Sequence, residues 1–195
     1  HKLDVFAMKR VCVDYRKRSE SDMPLLPVSV NISRLDFELC DIISEIENSI
    51  SLNNIPREMM KIEITESVND EDMTVLTLGI EKFRAMGYEV WMDDFGSGYS
   101  SLNVLKDYNF DTIKFDMKFL HGFNVHKSEK AKYIISSNLE MARLMGMQAL
   151  AEGVETEEQF EYLRSIGFDK AQGYYFGKPM ELDEIFSLKR GIETL

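Results

Sequence analysis

Seven polar residues stand at or near the ends of short apolar runs: Asn31 in LLPVSVNIS, Glu63 in MMKIEIT, Asp93 and Asp94 in YEVWMDD, Lys114 in DTIKFD, Glu152 in MQALAE and Gln172 in KAQGYY. Most of them are oxygen donors. Glu63 lies between Ile62 and Ile64, where a buried strand favours an apolar residue, so a carboxylate there needs a cation or a hydrogen-bonding partner. Asp93 and Asp94 are adjacent, and two neighbouring carboxylates repel each other unless a cation lies between them. His1, His121 and His126 fall outside the strand ends, and Cys12 and Cys40 form no Cys-x-x-Cys pair. Hard oxygen ligands without imidazole or thiolate suit Mg²⁺ or Mn²⁺ and disfavour Zn²⁺. Taken singly, several of these residues have plainer explanations. Asn31 can cap a helix or make a turn, Lys114 can be an ordinary ion-pair partner, and Glu155 in EGVET can supply the acidic first turn of a helix. Taken together, they demand a fold that brings many strand ends to one place.

The elements that must do this recur along the chain. Residues 3–19 have helical spacing and end in a basic cluster, and after the break SESDMP comes the run that ends at Asn31. A helical stripe over residues 35–50 follows, then the Glu63 strand and a helix over about 71–86. The Asp93-Asp94 strand leads into a Gly/Ser loop over residues 94–101 and a short helix in SSLNVLKDY. The Lys114 strand precedes a long helix over 128–145, the Glu152 strand a helix beginning near Thr156, and the Gln172 strand a closing helix in ELDEIFSLKR. Gly87, Gly146 and Gly167 sit where left-handed helix C-caps belong. The strands read as nearly continuous apolar runs without clean alternation, the pattern of parallel strands buried on both faces. Alternating β and α elements mean a doubly wound sheet or a (β/α)8 barrel. No GxGxxG or GxxxxGK[ST] loop supports the first, whereas polar residues at many strand ends support the second. The predicted fold is α/β: a TIM-type (β/α)8 barrel short by two strands, reduced to about six βα units.

Composition narrows the classes further. The 195 residues carry 23 basic and 34 acidic side chains, a formal net charge of −11, which argues against unaided binding to DNA, RNA or anionic membrane. A hydrophobic fraction of 44% is ample for one large core. No apolar run approaches the ~18 residues of a membrane span, and the widely separated cysteines fit reduced thiols in a cytoplasmic setting. The twelve methionines fall on helical faces and strand positions and are expected as core filler.

The segments VSVNIS, KIEITES, WMDDFGSGYSSL, DTIKFD, ALAEGVET and AQGYYFGKPM resemble, in order and spacing, the motif series of the EAL domain, the bacterial cyclic-di-GMP phosphodiesterase family. The resemblance runs from about residue 3 to 186. It implies a modified (β/α)8 barrel whose first strand runs antiparallel to the rest, with the six units here as strands three to eight. One departure matters. The Glu-Ala-Leu tripeptide that names the family, on its second strand, occurs nowhere in the sequence, and its Glu is a metal ligand in active members. The expectation is therefore that residues 1–195 are an EAL domain lacking its first two strands, cut from a longer protein by cloning or proteolysis.

By the same resemblance, Asn31, Glu63 and Asp93 would ligate one divalent ion, and Asp93 with Asp94 would bind or bridge a second, Mg²⁺ or Mn²⁺. Lys114 would stabilise charge on the phosphate or orient the attacking water. Glu152 would act as general base or position that base, and Gln172 would help hold water at the metal. Glu66 and Glu155 look like supports for the 94–101 loop. The implied reaction is hydrolysis of cyclic-di-GMP to linear pGpG in the intact parent, with residues 1–195 alone inactive. The alternative is a catalytically silent receptor or interaction module. Family resemblance also admits a homodimer near the loop after Asp94, an upstream GGDEF or sensor domain, and membrane tethering of the parent through segments other than this one. Two missing strands would leave LLPVSVNIS and KAQGYY as open edges, to be covered by a neighbouring chain, a retained fragment or rearranged local segments.

Overall fold

A computed structural model describes residues 1–21, 25–65, 73–96, 105–106, 108–116, 129–181 and 184. Its described elements are α1 (Lys2–Ser19), β1 (Val28–Ile32), α2 (Arg34–Leu39), α3 (Ile42–Leu52), a 3-10 turn (Arg57–Met59), β2 (Met60–Thr65), α4 (Met73–Ala85), β3 (Glu89–Phe95), β4 (Thr112–Asp116), α5 (Glu129–Leu144), β5 (Gln148–Glu152), α6 (Glu157–Ile166) and β6 (Lys170–Ala171). The expected short helix in SSLNVLKDY falls largely outside the described residues, as do the start of the 71–86 helix and most of ELDEIFSLKR.

The six strands form one sheet in the order β1-β2-β3-β4-β5-β6, and every neighbouring pair is parallel. Sequential neighbours in a parallel sheet, each joined through a crossover, are barrel topology. Among the described residues β1 and β6 each pair on one side only, so the sheet they form is not closed into a barrel. One face of the sheet carries the apolar partners Val30, Ile62, Val90, Met92, Ile113 and Ala149, all buried against the helices with Met8, Ile46, Ile80, Phe83 and Leu139. Alternate positions face the other way, and these are Lys61, Glu63, Trp91, Asp93, Thr112, Lys114 and Glu152. The expectation of apolar runs on both faces is therefore half met. β2 is buried along almost its whole length, but alternation is present, and its buried second face is polar.

A second correction concerns the stripe over residues 35–50. It breaks at Cys40-Asp41 into α2 and α3, because Asp41 caps the second helix, accepting from the backbone N–H and hydroxyl of Ser44 at 3.2 and 2.7 Å. A short polar side chain that satisfies free helical N–H groups starts a new helix more cheaply than it continues an old one. The glycine caps are as expected: Gly87, Gly146 and Gly167 have φ of +94°, +76° and +90°.

The strands are pinned at their starting ends by a repeated device. Asp111 takes the Val90 N–H on its carboxylate at 2.8 Å and returns its own N–H to Val90 O at 2.8 Å. Asp169 does the same to Ala149, at 2.8 and 3.0 Å. Arginines in the last turns of the preceding helices complete both units. Arg84 grips the Asp111 carboxylate at 2.9 Å, and Arg143 donates to the Gly167 carbonyl at 2.6 Å. Fixing these ends sets the height at which the opposite ends present their side chains.

Candidate active site

Lys114, in β4 and only 3% exposed, is where the polar strand ends converge. Its Nζ lies 2.7 Å from Asp93 Oδ1, 2.9 Å from Glu63 Oε2 and 3.5 Å from Glu152 Oε2. These carboxylates come from β3, β2 and β5, so one ammonium ties together four strands. Burial pulls the Lys114 pKa down, but the hydrogen bonds it donates to Asp93 and Glu63 and the negative charge of both outweigh it, and the pKa ends above the ordinary lysine value. Lys114 is a cation throughout the neutral range.

The Asp93-Asp94 pair owes its arrangement to a backbone irregularity. Successive side chains of a regular strand point to opposite faces. The β3–β4 register shifts between Met92 and Phe95, and Asp94 adopts φ +56°, which an aspartate tolerates better than most residues. The Asp94 N–H folds back onto Asp93 Oδ1 at 3.0 Å. Asp93, Asp94 and Glu152 can then each offer an oxygen, all within 4.8 Å of one another.

The remaining expected residues lie around this centre. Gln172, just after β6, donates from Nε2 to Glu152 Oε1 at 2.9 Å and holds that carboxylate from the side away from Lys114. Asn31 is the register partner of Glu63 and is exposed, since β1 is an edge strand. The turn after it is fixed by fully buried Asp36, whose Oδ2 accepts from the Ser33 N–H and hydroxyl at 2.7 and 2.6 Å. Glu155 is exposed, and its N–H donates to Gln159 Oε1 at 2.8 Å in the capping box of α6. It lines, with Glu152, Gln172, Gly173, Tyr174 and Lys178, a cavity of about 560 Å³ beside the acidic centre. Glu66 and most of the 94–101 loop lie outside the described residues, so the contacts of Glu66 and of that loop are likewise outside them.

Sequence reasoning passed over two features. Asp116 follows Lys114 by two residues, on the same face, and is the register partner of Glu152. The pattern Lys-x-Asp in DTIKFD was the available signal. Tyr174 and Lys178 line the cavity, and Lys178 Nζ lies 5.6 Å from the Tyr174 ring centroid. Nothing in their spacing alone marked them.

The donor set fits a hard divalent ion. It is oxygen-only, and it sets the carboxylates of Glu63, Asp93, Asp94 and Glu152 against the ammonium of Lys114. Excess negative charge at the strand ends of an otherwise close-packed sheet favours cation capture.

Comparison with known proteins agrees with this architecture. The EAL domain family model matches residues 1–179. The chain is 32% identical over 160 residues to the bifunctional diguanylate cyclase/cyclic di-GMP phosphodiesterase MucR of Pseudomonas aeruginosa, covering 82% of this chain and 23% of that protein. It superposes on a PaMucR phosphodiesterase structure, a c-di-GMP complex, with TM-score 0.81 and 29% identity, covering 94% of this chain and 79% of that one. On the EAL domain of Mycobacterium smegmatis DcpA the TM-score is 0.84 at 26% identity, with 96% and 84% covered. The chain spans about a fifth of the length of the curated relatives it matches. A parallel sheet in sequential order, its carboxylate-rich strand ends, and a family match over nearly the whole chain agree: the chain belongs to the EAL domain family.

Proposed function

We propose that the protein carrying this chain hydrolyses cyclic-di-GMP to linear pGpG with the help of two divalent ions, Mg²⁺ or Mn²⁺. The observation that carries this is the meeting of Glu63, Asp93 and Glu152 on Lys114 in a member of the EAL domain family. It is supported by relatives named as cyclic di-GMP phosphodiesterases, MucR of P. aeruginosa and PdeR of Escherichia coli, and by the c-di-GMP complex of PaMucR.

In this proposal Asn31, Glu63 and Asp93 hold one ion, and Asp93 with Asp94 the other. Divalent ions held there would supply the positive charge that the anionic phosphodiester needs and would lower the pKa of a coordinated water. Lys114 faces the charge that develops on the phosphate and supplies it with a fixed donor. Glu152, steadied by Gln172, takes the proton or holds the group that takes it. The cavity beside Glu152, walled by Tyr174 and Lys178, is the room available for a nucleotide base. Glu66 and Glu155 support the 94–101 loop. Residues 1–195 then constitute one EAL domain lacking its first two strands, acting in the cytoplasm behind GGDEF or sensor domains, with a homodimer formed near that loop.

The test is incubation of the longer protein with cyclic-di-GMP and Mg²⁺ or Mn²⁺, followed by chromatography for pGpG. Asp93→Asn should abolish product, because a neutral amide cannot share charge between two cations. Normal pGpG production by that variant refutes the metal assignment. Residues 1–195 alone should give negligible product. The alternative is a receptor that binds cyclic-di-GMP without hydrolysing it. Calorimetric binding of cyclic-di-GMP by the longer protein without pGpG formation would establish the receptor instead.

A further inference from the structure

Beneath the acidic centre the same face of the sheet carries a second connected layer. The two-residue period of a strand puts Lys61 below Glu63 on β2, Trp91 below Asp93 on β3 and Lys170 below Gln172 at β6. Lys61 Nζ donates to Glu89 Oε1 at 2.6 Å, and Trp91 Nε1 donates to Glu89 Oε2 at 3.2 Å. Lys170 Nζ lies over the Trp91 ring, 4.6 Å from its centroid. Burial pushes the Glu89 carboxyl up, but the hydrogen bonds from Lys61 and Trp91 and the charges of Lys61 and Lys170 hold it below the ordinary glutamate value. In the sheet β3 and β6 are separated by β4 and β5, which makes three inter-strand spacings, about 14 Å along the sheet. The Trp91–Lys170 contact therefore crosses the inside of the curved sheet as a chord. Thr112 of β4 and Leu150 of β5 lie on the same face between the two strands, and both are buried.

We propose that Trp91 and Lys170 form a strut that sets the span between β3 and β6, and with it the placement of Glu152 and Gln172 against Asp93. The proposal rests on the phosphodiesterase reading above. Among the described residues β6 is two residues long and pairs only with β5. The Gln172 N–H donates to Ala151 O at 2.8 Å, which fixes Gln172 along β5 but not the lean of that edge toward β3. A cation held over an indole face supplies the missing inward attraction, and it strengthens as the pair is desolvated. Glu89 sets the plane of the ring by accepting its N–H, and Lys61 holds Glu89 in turn. Trp91 and Lys170 are positioning residues: they act one layer below the reacting groups, through the strands that carry Asp93 and Gln172.

The test is a double-mutant cycle on turnover of cyclic-di-GMP by the longer protein. Lys170→Met keeps the apolar stem and removes the charge, and should lower turnover about tenfold, within the range that a displacement of about 1 Å produces. Lys170→Arg restores a cation over the ring and should stay within threefold of wild type. In a Trp91→Leu background, Lys170→Met should change turnover less than twofold, because the strut is already gone. If Trp91→Leu does not fold, Trp91→Met, a more adaptable filler, takes its place. A Lys170→Met penalty of the same size in both backgrounds shows a direct charge effect and overturns the strut, as does a penalty below twofold in the Trp91 protein. If the wild-type protein forms no pGpG, the phosphodiesterase reading fails and the strut is judged by NMR on residues 1–195. There the Gln172 side-chain amide resonance, identified by its loss in Gln172→Ala, should move toward that of an unbonded amide on Lys170→Met. It should not move on the same change in the Trp91→Leu chain. A resonance unmoved by Lys170→Met, or moved equally in both chains, overturns the proposal.

Discussion

Gly173 offers a test of how the cavity beside Glu152 is held. Its φ is +151°, and a Cβ built there would lie 2.8 Å from the Val154 carbonyl carbon and closer still to Val154 N and O. Those are backbone atoms of a residue with no solvent exposure, so no rotamer change relieves the clash. Gly173→Ala must push the segment away from Val154 by about 1 Å, and two backbone bonds span that gap. The Val154 N–H donates to Gln172 O at 3.0 Å, and the Tyr175 N–H to Val154 O at 2.9 Å. Losing or stretching both costs about 1–3 kcal/mol, and forcing a β-carbon into this backbone region adds about 1–3 kcal/mol. The expected destabilisation is about 2–6 kcal/mol, read from urea unfolding followed by Trp91 fluorescence. Gln172 rides on the displaced segment, so a shift of about 1 Å should also lower pGpG production by the longer protein about a hundredfold. Gly177→Ala is the matched control. A Cβ there meets open space, and the change should stay within about 0.5 kcal/mol. A Gly173→Ala chain as stable and as active as the Gly177→Ala chain would refute the packing argument.

Three other outcomes are expected. Lys114→Ala in the longer protein should lower turnover about a hundredfold or more, as loss of one charge-stabilising donor does, and a less than threefold change in steady-state rate would remove Lys114 from the chemistry. Asp111→Ala leaves the buried Val90 N–H without its 2.8 Å acceptor and frees Arg84, so urea unfolding should show a loss of about 2–3 kcal/mol. A loss below about 0.5 kcal/mol would count against the strand-pinning role. The Arg57 guanidinium holds the Glu47 carboxyl below its ordinary pKa, with burial opposing and the Tyr88 hydroxyl assisting. Its contribution is therefore complete above the unfolded value of about 4.3 and is lost as pH falls through the lower folded value. Unfolding free energies measured from pH 6 to 3 should fall less steeply for Glu47→Gln than for wild type, and parallel curves would contradict the assignment.

Much of this protein is legible along the chain because local physics writes it there. Glycines after helices, apolar runs of strand length and Thr156 before an acidic turn are short-range signals, and each marks an element that the structure contains. Carboxylates at apolar strand ends are legible for the same reason. Burying charge is so costly that Glu63 and Asp93 in such runs announce a cation. The motif series adds the family. Three things were not legible along the chain, and only the last two rest on tertiary structure. The helix break at Cys40-Asp41 turns on a cap that competes with helix continuation over a single residue. The polarity of the second sheet face is masked in the sequence, because Lys61, Glu63 and Lys114 are buried like apolar residues once neighbouring strands neutralise them. Which carboxylates share a cation is the third. Asp93 and Asp94 should diverge by strand periodicity, and only the shifted β3–β4 register and the positive φ of Asp94 turn them together toward Glu152. Lys114 lies 21 residues from Asp93 and 51 from Glu63 in the chain. Its contacts with both depend on relative strand heights, which are set at the far end of the sheet by Asp111 and Asp169 and which no local pattern encodes.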